Sequence, residues 1–428
     1  MRTRVVVVVL DGLRRDMVLS KTTPNLAEFS KKSAVFVNHR SAFPSATRVV
    51  SACFATGCWP AKHGLAGNSI ALMENDVLTP HDVGRPDFMD HLRSIRGYCL
   101  AVPTLSERLA RAGEEAMLFS NVSPGAARAH DPDGHGWVLH RAWSHGPGLR
   151  RLIGAEAMGH VTNDIAGDAV LTEAFLERAL SGREAALAVL WLGEPDATQH
   201  TVPLGAPEAM EAIAAADARF AEVLAAVQAR RQAGEDILLI ACSDHGHQTV
   251  QAVVDIESEL VTAGLKRDLA DTGIVSVSNG TSALVYVHPE RRFQADALIE
   301  FVLAQPWAGS VHEGSALGDI GQAASDHLFC AISMASDPAP NVYGVSGLAY
   351  AAKPSAGKPD RLGCGQHGGL GAAEQMPFLM INGGEFVAGA THVAPSSPID
   401  LAPTILRHLG LDAEGCDGRP LQGRAGGF

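Results

Sequence analysis

The sequence has few aromatic residues and no excess of basic charge. Aromatic side chains make up 5% of the 428 residues, whereas 44 residues are glycine. This composition is typical of a loop-rich α/β protein rather than a β-sandwich. Lys and Arg number 34 against 47 Asp and Glu, a net charge of −13, so the chain lacks the basic face of a general nucleic-acid binder. An anionic substrate stays compatible with this charge, because bound cations can reverse the local field.

Long apolar runs and paired cysteines are also missing. The first apolar run extends only from Val5 to Leu10, and no later run approaches the roughly 18 residues of a membrane span. The seven cysteines are scattered, form no CxxC pair and are odd in number, which favours reduced thiols over a disulfide scaffold. We therefore expect a soluble cytoplasmic protein that has neither a membrane nor a nucleic-acid polymer as partner. The sequence leaves a homodimer open.

Three apolar runs, at residues 5–10, 185–193 and 236–243, each end in a polar loop that contains Asp. Runs of this kind are typical of strands buried on both faces of a mostly parallel sheet. Helical patterns lie between them, the longest at 206–234, and another closes the chain at 400–410. The alternation predicts one doubly wound α/β domain over residues 1–428, with ligands bound at the carboxyl ends of the strands. Residues 69–100, 121–160 and 265–360 break the alternation and are predicted to be lid or cap insertions.

Acidic and histidine side chains collect at the predicted strand ends and in Gly-rich loops. These residues are Asp11, Asp196, His200, Asp244, His245 and His367. A lone Asp at a strand end is usually a cap or turn residue, but six such residues are hard to explain in that way. Mixed carboxylate and imidazole ligands suit Zn²⁺ or Mn²⁺, and six of them suffice for two ions. Two ions about 3.5–4 Å apart can stabilise the attacking and leaving oxygens of phosphoryl transfer.

Thr47 precedes an apolar run, Val49 to Thr56, that is predicted to be a helix. A divalent cation would lower the pKa of its hydroxyl and convert it into a nucleophile. The N-terminus of the helix would offer N–H groups to a phosphoryl group. The alternative is that Thr47 only caps the helix, which is a common role for threonine.

The stretch FPSATRVVSACFATGCWPAKHGLAGN, residues 43–68, resembles the nucleophile segment of one branch of the alkaline phosphatase superfamily. That branch contains the nucleotide pyrophosphatases/phosphodiesterases and relatives of phosphonoacetate hydrolase. Its segment runs FPSxT, then TGxxPxxHGIxxN. The motifs LDG at 10–12, DATQH at 196–200, SDHG at 243–246 and QHGG at 366–369 resemble the other motifs of the family, in the same order. The resemblance covers nearly the whole chain apart from the predicted insertions.

The resemblance implies an alkaline phosphatase-like fold, two metal ions and a covalent phospho-threonine intermediate. Asp196, His200 and His367 would hold one ion, and Asp11, Thr47, Asp244 and His245 would hold the other. Thr47 would attack phosphorus. Asn68 and the backbone N–H of Thr47 would donate hydrogen bonds to a non-bridging oxygen.

Arg48 departs from the nucleotide-specific members, which commonly have an aromatic residue at this place. A base-stacking platform is therefore in doubt, and Arg48 could instead bind a second anionic group of the substrate. A structural ion pair or a solvated charge at the start of the helix is the alternative.

We interpret the chain as a two-metal hydrolase of phosphate diester or pyrophosphate bonds in a small anionic substrate. A phosphonoacetate hydrolase-like enzyme that cleaves carbon–phosphorus bonds, a monoesterase and a non-catalytic metal- or phosphate-binding protein are the alternatives. The stretch at 129–137, with His130, Asp131, Asp133 and His135, could line the pocket or form a polar turn. His247 could orient a metal ligand or face solvent.

Overall fold

The computed structural model describes residues 2–182 and 185–424. The strands in these residues are β1 (Thr3–Leu10), β2 (Ala34–Phe36), β3 (Ser69–Glu74), β4 (Val77–Asp82), β5 (Ala116–Ser120), β6 (Trp137–His140), β7 (His145–Gly146), β8 (Arg150–Arg151), β9 (Leu187–Leu192), β10 (Asp236–Cys242), β11 (Gln248–Val254), β12 (Ile274–Ser278), β13 (Ser282–Val287), β14 (Ala308–Glu313), β15 (Leu328–Met334), β16 (Ser336–Pro340), β17 (Ser346–Ala352), β18 (Gly365–Gln366), β19 (Leu379–Asn382) and β20 (Thr391–His392).

The α-helices in the same residues are α1 (Pro24–Ser30), α2 (Thr47–Thr56), α3 (Pro60–His63), α4 (Phe88–Arg96), α5 (Leu105–Arg111), α6 (Pro124–Ala129), α7 (Ile165–Phe175), α8 (Asp196–Gln199), α9 (Pro207–Gln232), α10 (Ile256–Thr262), α11 (Ala295–Leu303) and α12 (Leu401–His408). A π-helical turn, Leu176–Gly182, continues α7. No helix among the described residues combines the length and the apolar character needed to cross a bilayer.

The largest sheet has the strand order β20-β2-β19-β10-β1-β9-β5-β6-β7-β8. Its centre, from β10 to β6, is parallel, and antiparallel strands flank it on both sides. The sheet is therefore mostly parallel, as the continuous apolar runs predict. Its central strand β1 is buried almost completely from Val5 to Leu10 because both faces of the sheet are covered.

Alternate side chains of β1 enter two different cores, since successive residues of a strand point to opposite faces. Val5, Val7 and Val9 pack with apolar side chains of α2 and α12. Val6, Val8 and Leu10 pack with those of α1, α7 and α9 on the other face. Helices on both faces of a mostly parallel sheet confirm the predicted fold class.

The three segments predicted to be insertions differ from one another. Residues 69–100 contain the hairpin β3–β4 and helix α4. Residues 265–360 supply an antiparallel sheet of β12 to β15, and they also supply β16 and β17, which belong to a separate sheet with β11 and β18. Residues 121–160 instead extend the central sheet, because β6 pairs in parallel with β5 and buries Val138 and Leu139. The four-residue length of β6 explains why its apolar pattern does not stand out in the sequence. A lid role for any of these segments stays a prediction.

Candidate active site

The carboxyl ends of three neighbouring strands lie beside one another, and each is followed by residues of the predicted constellation. Asp11 follows β1, Asp196 opens α8 after β9, and Asp244 with His245 follows β10. Because β10, β1 and β9 are adjacent and parallel, these loops share one edge of the sheet. His367, which follows β18 of a different sheet, reaches the same place.

One group of side chains, the Asp11 set, consists of Asp11, Thr47, Asp244 and His245. Nε2 of His245 lies 3.2 Å from Oγ1 of Thr47. The same nitrogen is 3.1 Å from Oδ2 of Asp244 and 3.5 Å from Oδ1 of Asp11. The structure therefore brings together the four residues that the resemblance assigns to one metal ion.

One oxygen of each carboxylate in the Asp11 set accepts a hydrogen bond from a residue outside the set. Nε1 of Trp191 donates a hydrogen bond to Oδ2 of Asp11 over 2.8 Å. The backbone N–H of Gly12 donates to Oδ1 of Asp244 over 3.0 Å. Each bond occupies one oxygen of its carboxylate and leaves the other turned towards His245.

A second group, the Asp196 set, consists of Asp196, His200, His247 and His367. Oδ1 of Asp196 lies 3.3 Å from Nε2 of His200 and 3.5 Å from Nε2 of His367. Nε2 of His247 is closer still to the same oxygen, at 3.0 Å. Helix α8 explains one of these approaches, since Asp196 and His200 are four residues apart and face the same side of the helix.

All four imidazoles of the site are oriented by backbone carbonyls. Nδ1 of His200, His245, His247 and His367 lies 2.7–3.1 Å from the carbonyl oxygens of Gly365, Gly246, Gly12 and Ser45, respectively. A carbonyl oxygen can only accept, so the Nδ1 atom in each pair carries the hydrogen. In a neutral ring, the Nε2 lone pair then points into the site. Such orientation by a second hydrogen bond is typical of metal-binding histidines.

Several buried acceptors of the site have no donor. Oδ1 of Asp11, Oδ1 of Asp196 and Oδ2 of Asp244 lack a hydrogen-bond partner among the described residues. In each set, one ligand atom from each carboxylate and histidine lies within 4.8 Å of all the others. Buried oxygens and nitrogens that converge without a proton between them are costly unless a cation joins them. The donor chemistry fits two divalent ions.

The ionisation of the site reflects this crowding of acceptors. Burial, followed by repulsion from Asp244 and Asp196, raises the pKa of Asp11 well above its usual range. Burial lowers the pKa of His200 to about 3, and burial together with neighbouring His245 holds the pKa of His367 well below normal. Both rings are therefore neutral at pH 7, which is the form that binds metals.

Thr47 is the first residue of α2. Its hydroxyl oxygen lies 3.2 Å from Nε2 of His245, whereas the N-cap position of the helix is Ala46, and the side chain of Thr47 makes no capping hydrogen bond. The alternative that Thr47 serves only as a helix cap is therefore wrong. Oδ1 of Asn68 accepts the backbone N–H of Arg48 over 3.2 Å, which leaves the amide nitrogen of Asn68 as a donor. Thr47 and Asn68 line one cavity of about 370 Å³ together with Asp11, Asp196 and His367.

Arg48 is largely enclosed rather than solvated. Its Nε donates to Oγ of Ser123 over 3.0 Å, and its Nη1 donates to the carbonyl of Asn68 over 3.3 Å. Oδ1 of Asp82 lies 3.7 Å from Nη1, and the side chain of Arg48 is 17% exposed. The alternative of a solvated charge is wrong, and the structural ion pair that the sequence left open is present.

His247 is the residue whose place the sequence left most open. It is completely buried and contacts Asp196, so the alternative that it faces solvent is wrong. The spacing Asp-His-Gly-His was visible in the sequence. It could not show that the chain turns back into β11 directly after His247 and keeps the ring inside.

The stretch at 129–137 forms a polar turn. Both oxygens of Asp131 accept backbone N–H groups, from His135 and from Gly136, over 2.8 Å. His130 packs between Phe54 and Trp191. A separate group, formed by Glu74, His81 and His91, lies on β3, β4 and α4, and both histidines bond to the glutamate.

The sequence pattern of the chain matches a known family over most of its length. The family described as type I phosphodiesterase / nucleotide pyrophosphatase matches residues 5–305. The chain belongs to this family. No match was found among curated proteins.

Solved structures of family members share the fold. Murine ectonucleotide pyrophosphatase/phosphodiesterase 5 is 18% identical, with a TM-score of 0.68 and 97% coverage of both chains. An inactive variant of that murine protein, in complex with AMP, gives the same values. The human protein is 16% identical, with a TM-score of 0.67 and 97% coverage of both chains. At sequence identities of 16–18%, the structural similarity establishes the fold of the chain.

Proposed function

We propose that this member of the family is a two-metal hydrolase of phosphate diester or pyrophosphate bonds, with Thr47 as its nucleophile. The observation that carries the proposal is the position of the Thr47 hydroxyl. It lies at the start of a helix, within the Asp11 set and on the same cavity as the Asp196 set. A threonine with a structural role alone would not need two groups of unsatisfied ligands beside it.

The residues that would hold the ions come from the two sets, and His247 is the member of the Asp196 set that the resemblance does not assign as a ligand. Asp11, Thr47, Asp244 and His245 would hold one, and Asp196, His200 and His367 would hold the other. When bound, Zn²⁺ or Mn²⁺ would lower the pKa of the threonine hydroxyl and offset the charge on the attacking and leaving oxygens.

The remaining chemistry falls to the chain itself. Oγ1 of Thr47 forms a bond to phosphorus while the bond from phosphorus to the leaving oxygen breaks, which gives a phospho-threonine. Water then releases phosphate or a phosphate monoester and restores the hydroxyl. The free amide nitrogen of Asn68 and the backbone N–H of Thr47 would donate to a non-bridging oxygen in both steps. Preorganised donors of this kind act where negative charge develops.

The test compares Thr47→Ala and Thr47→Ser with the unmodified protein. We measure release of p-nitrophenolate from bis-p-nitrophenyl phosphate, and zinc per chain by elemental analysis. The alanine variant should lose turnover, because it lacks the attacking oxygen, whereas the serine variant should retain part of it. Turnover by the alanine variant at the level of the unmodified protein would remove Thr47 from the mechanism.

Metal assignment has its own test, His200→Ala. This variant should retain the ion of the Asp11 set and lose one metal equivalent. A full complement of two ions under a competing chelator would contradict the assignment of His200.

A carbon–phosphorus bond hydrolase on the same site is the second candidate. It is favoured by the absence of Phe, Tyr and Trp among the described residues that line the cavity of Thr47. A nucleobase would find no aromatic platform there. Turnover of phosphonoacetate in preference to bis-p-nitrophenyl phosphate and p-nitrophenyl phosphate would select this candidate. No turnover of the three, with two metals bound, would favour a non-catalytic binding protein.

A further inference from the structure

Four cationic side chains surround the site. Arg48, Arg141 and Arg361 line the cavity that contains Thr47, and Lys358 lines the adjoining cavity of about 180 Å³. This concentration of positive charge contrasts with the net charge of −13 for the whole chain. The four cations are not equivalent, because only two of them have an anionic partner within residues 2–182 and 185–424.

Asp82 is the anionic partner of both Arg48 and Lys358. Its Oδ2 accepts a hydrogen bond from Nζ of Lys358 over 2.6 Å, and its Oδ1 lies 3.7 Å from Nη1 of Arg48. Arg48 is further held by the hydroxyl of Ser123 and the carbonyl of Asn68. The guanidinium of Arg48 is thus occupied by the protein, which argues against its role as the principal anchor of a second anionic group.

Arg141 and Arg361 differ from Arg48 and Lys358 in this respect. Among the described residues, no carboxylate forms an ion pair with either guanidinium, and the contacts that position them are neutral. Nη1 of Arg361 donates to the carbonyl of His200 over 2.7 Å, and Nη1 of Arg141 donates to the carbonyl of Val122 over 3.2 Å. Asp360 lines only the adjoining cavity.

Both guanidiniums are half-buried. Burial lowers the pKa of each, since a cation removed from water is disfavoured. Asp196, the carboxylate that acts most strongly on Arg361 through space, is a member of the metal-binding set. Two half-buried cations that line a cavity and form no ion pair with a described carboxylate are expected where an anionic ligand completes the pairing.

The described residues that line both cavities include no Phe, Tyr or Trp. The walls instead carry polar and cationic groups, so the part of the substrate remote from phosphorus meets charge rather than an aromatic surface. A flat neutral group would gain little from such walls, whereas a carboxylate or phosphate could accept several guanidinium hydrogen bonds.

We propose that Arg141 and Arg361 form a second anion subsite, and that the substrate is a phosphorus compound whose remote end carries a carboxylate or a phosphate. This inference rests on the proposed function of the Thr47 site. It assigns the specificity to two arginines from separate loops. Arg48 then positions Asn68 and the start of α2 rather than binding the remote group.

The test uses two p-nitrophenyl diesters that differ only at the remote end, p-nitrophenyl propyl phosphate and p-nitrophenyl 2-carboxyethyl phosphate. Both release p-nitrophenolate from the same centre. The zinc-loaded protein should prefer the carboxyethyl ester by about tenfold or more in kcat/KM, which is the order expected for charge-assisted hydrogen bonds. Arg141→Gln and Arg361→Gln should each lose most of this preference, and the loss should appear as a higher KM for the carboxyethyl ester.

Arg85→Gln is the matched control. It also removes one positive charge, but Arg85 is exposed and pairs with Asp87 outside the site. The control should keep the preference for the carboxyethyl ester. If Arg85→Gln reduces it as much as the two cavity variants do, the effect comes from net charge and the subsite is refuted. Equal use of both esters by the unmodified protein would also refute it.

A binding experiment separates the subsite from the reaction. In the zinc-loaded Thr47→Ala protein, calorimetry compares 3-phosphonopropionate and phosphonoacetate with propylphosphonate. At least one of the two carboxylates should bind about tenfold more tightly than propylphosphonate, and Arg141→Gln should remove that difference. If the diesters are not hydrolysed but this pattern holds, the proposed function fails and the subsite stands. Equal binding of all three compounds overturns the subsite.

Discussion

Replacing Asp11 with asparagine should stabilise the metal-free protein and destabilise the metal-loaded one. Asn has the same shape as Asp, and its Oδ1 can still accept the hydrogen bond from Trp191. Its Nδ2 would replace the oxygen that has no donor and could donate to Oδ2 of Asp244. The substitution therefore removes one of three neighbouring negative charges without opening a cavity.

The magnitude follows from the spacing of the carboxylates. The ligand atoms of Asp11 and Asp244 lie within 4.8 Å of each other, and both residues are buried. Two unit charges at that distance repel by about 3.5 kcal/mol at an effective dielectric constant of about 20, and by about 1 kcal/mol in water. We therefore expect the free energy of unfolding of the metal-free protein to rise by about 2–3 kcal/mol when both groups are ionised.

The gain in the free energy of unfolding from Asp11→Asn should depend on pH. The pKa of Asp11 is raised in the folded state, so the folded protein binds a proton that the unfolded chain releases at lower pH. The contribution of Asp11 to stability is thus lost as pH rises through the folded pKa. At low pH the wild-type acid is already neutral, and the two proteins should unfold alike. The advantage of Asp11→Asn should grow towards high pH.

The assay is equilibrium unfolding in urea with EDTA at several pH values, repeated with excess Zn²⁺. In zinc the order should reverse, because an ion that binds only the folded state stabilises the protein more the more tightly it binds, and the variant has lost a charged ligand. Asp168→Asn is the control. Asp168 is a buried carboxylate that accepts backbone N–H groups from Gly193 and Glu194, so its loss should destabilise the protein with and without zinc. A metal-free Asp11→Asn protein less stable than wild type at high pH would refute the reasoning.

Three further predictions concern other parts of the chain. Burial lowers the pKa of His63 to about 3, and its Nδ1 accepts the N–H of Leu65. The free energy of unfolding should therefore fall by about 2 kcal/mol between pH 7 and 5 through this group. In His63→Asn, urea unfolding at the two pH values should show a fall smaller by that amount, and an unchanged fall would contradict the prediction. A Cβ on Gly368 would lie 1.7 Å from the carbonyl of Asn279, so Gly368→Ala should displace the loop of the Asp196 set and cost one metal equivalent by elemental analysis. Asn68→Ala should lower kcat for the diester by about 10²–10³ with metal content unchanged, as for other lost donors to a developing charge, and an unaffected kcat would exclude that role.

The part of the site that lies on the central sheet could be predicted from the sequence by a simple rule. Continuous apolar runs mark parallel strands, and ligands collect at their carboxyl ends, which gives Asp11, Asp196 and Asp244 without any comparison. His367 is outside this rule, because it follows a two-residue strand of another sheet; its Gly-rich loop and the family resemblance are what point to it. A two-residue strand is too short to show the pattern of apolar residues that predicts a strand.

The walls of the cavity could not be predicted. Arg141 and Arg361 lie in irregular segments, and their approach to Thr47 depends on how distant loops fold over the sheet edge. The partner of Arg48 was equally hidden, since Asp82 is 34 positions away and belongs to a hairpin that the apolar pattern does not reveal. Sequence patterns at the strand ends therefore reveal the candidate metal ligands of this chain more readily than the residues that would select its substrate.

The positions of the ligands along the chain have a consequence for how the protein is made. The Asp11 set is complete in sequence once residue 245 has been synthesised, whereas the Asp196 set requires His367. A ribosome must therefore add a further 122 residues, including β12 to β18, before the second set can assemble. The two candidate ion sites would therefore be completed at different times during translation. A nascent chain that has acquired the first would still be unable to complete the second.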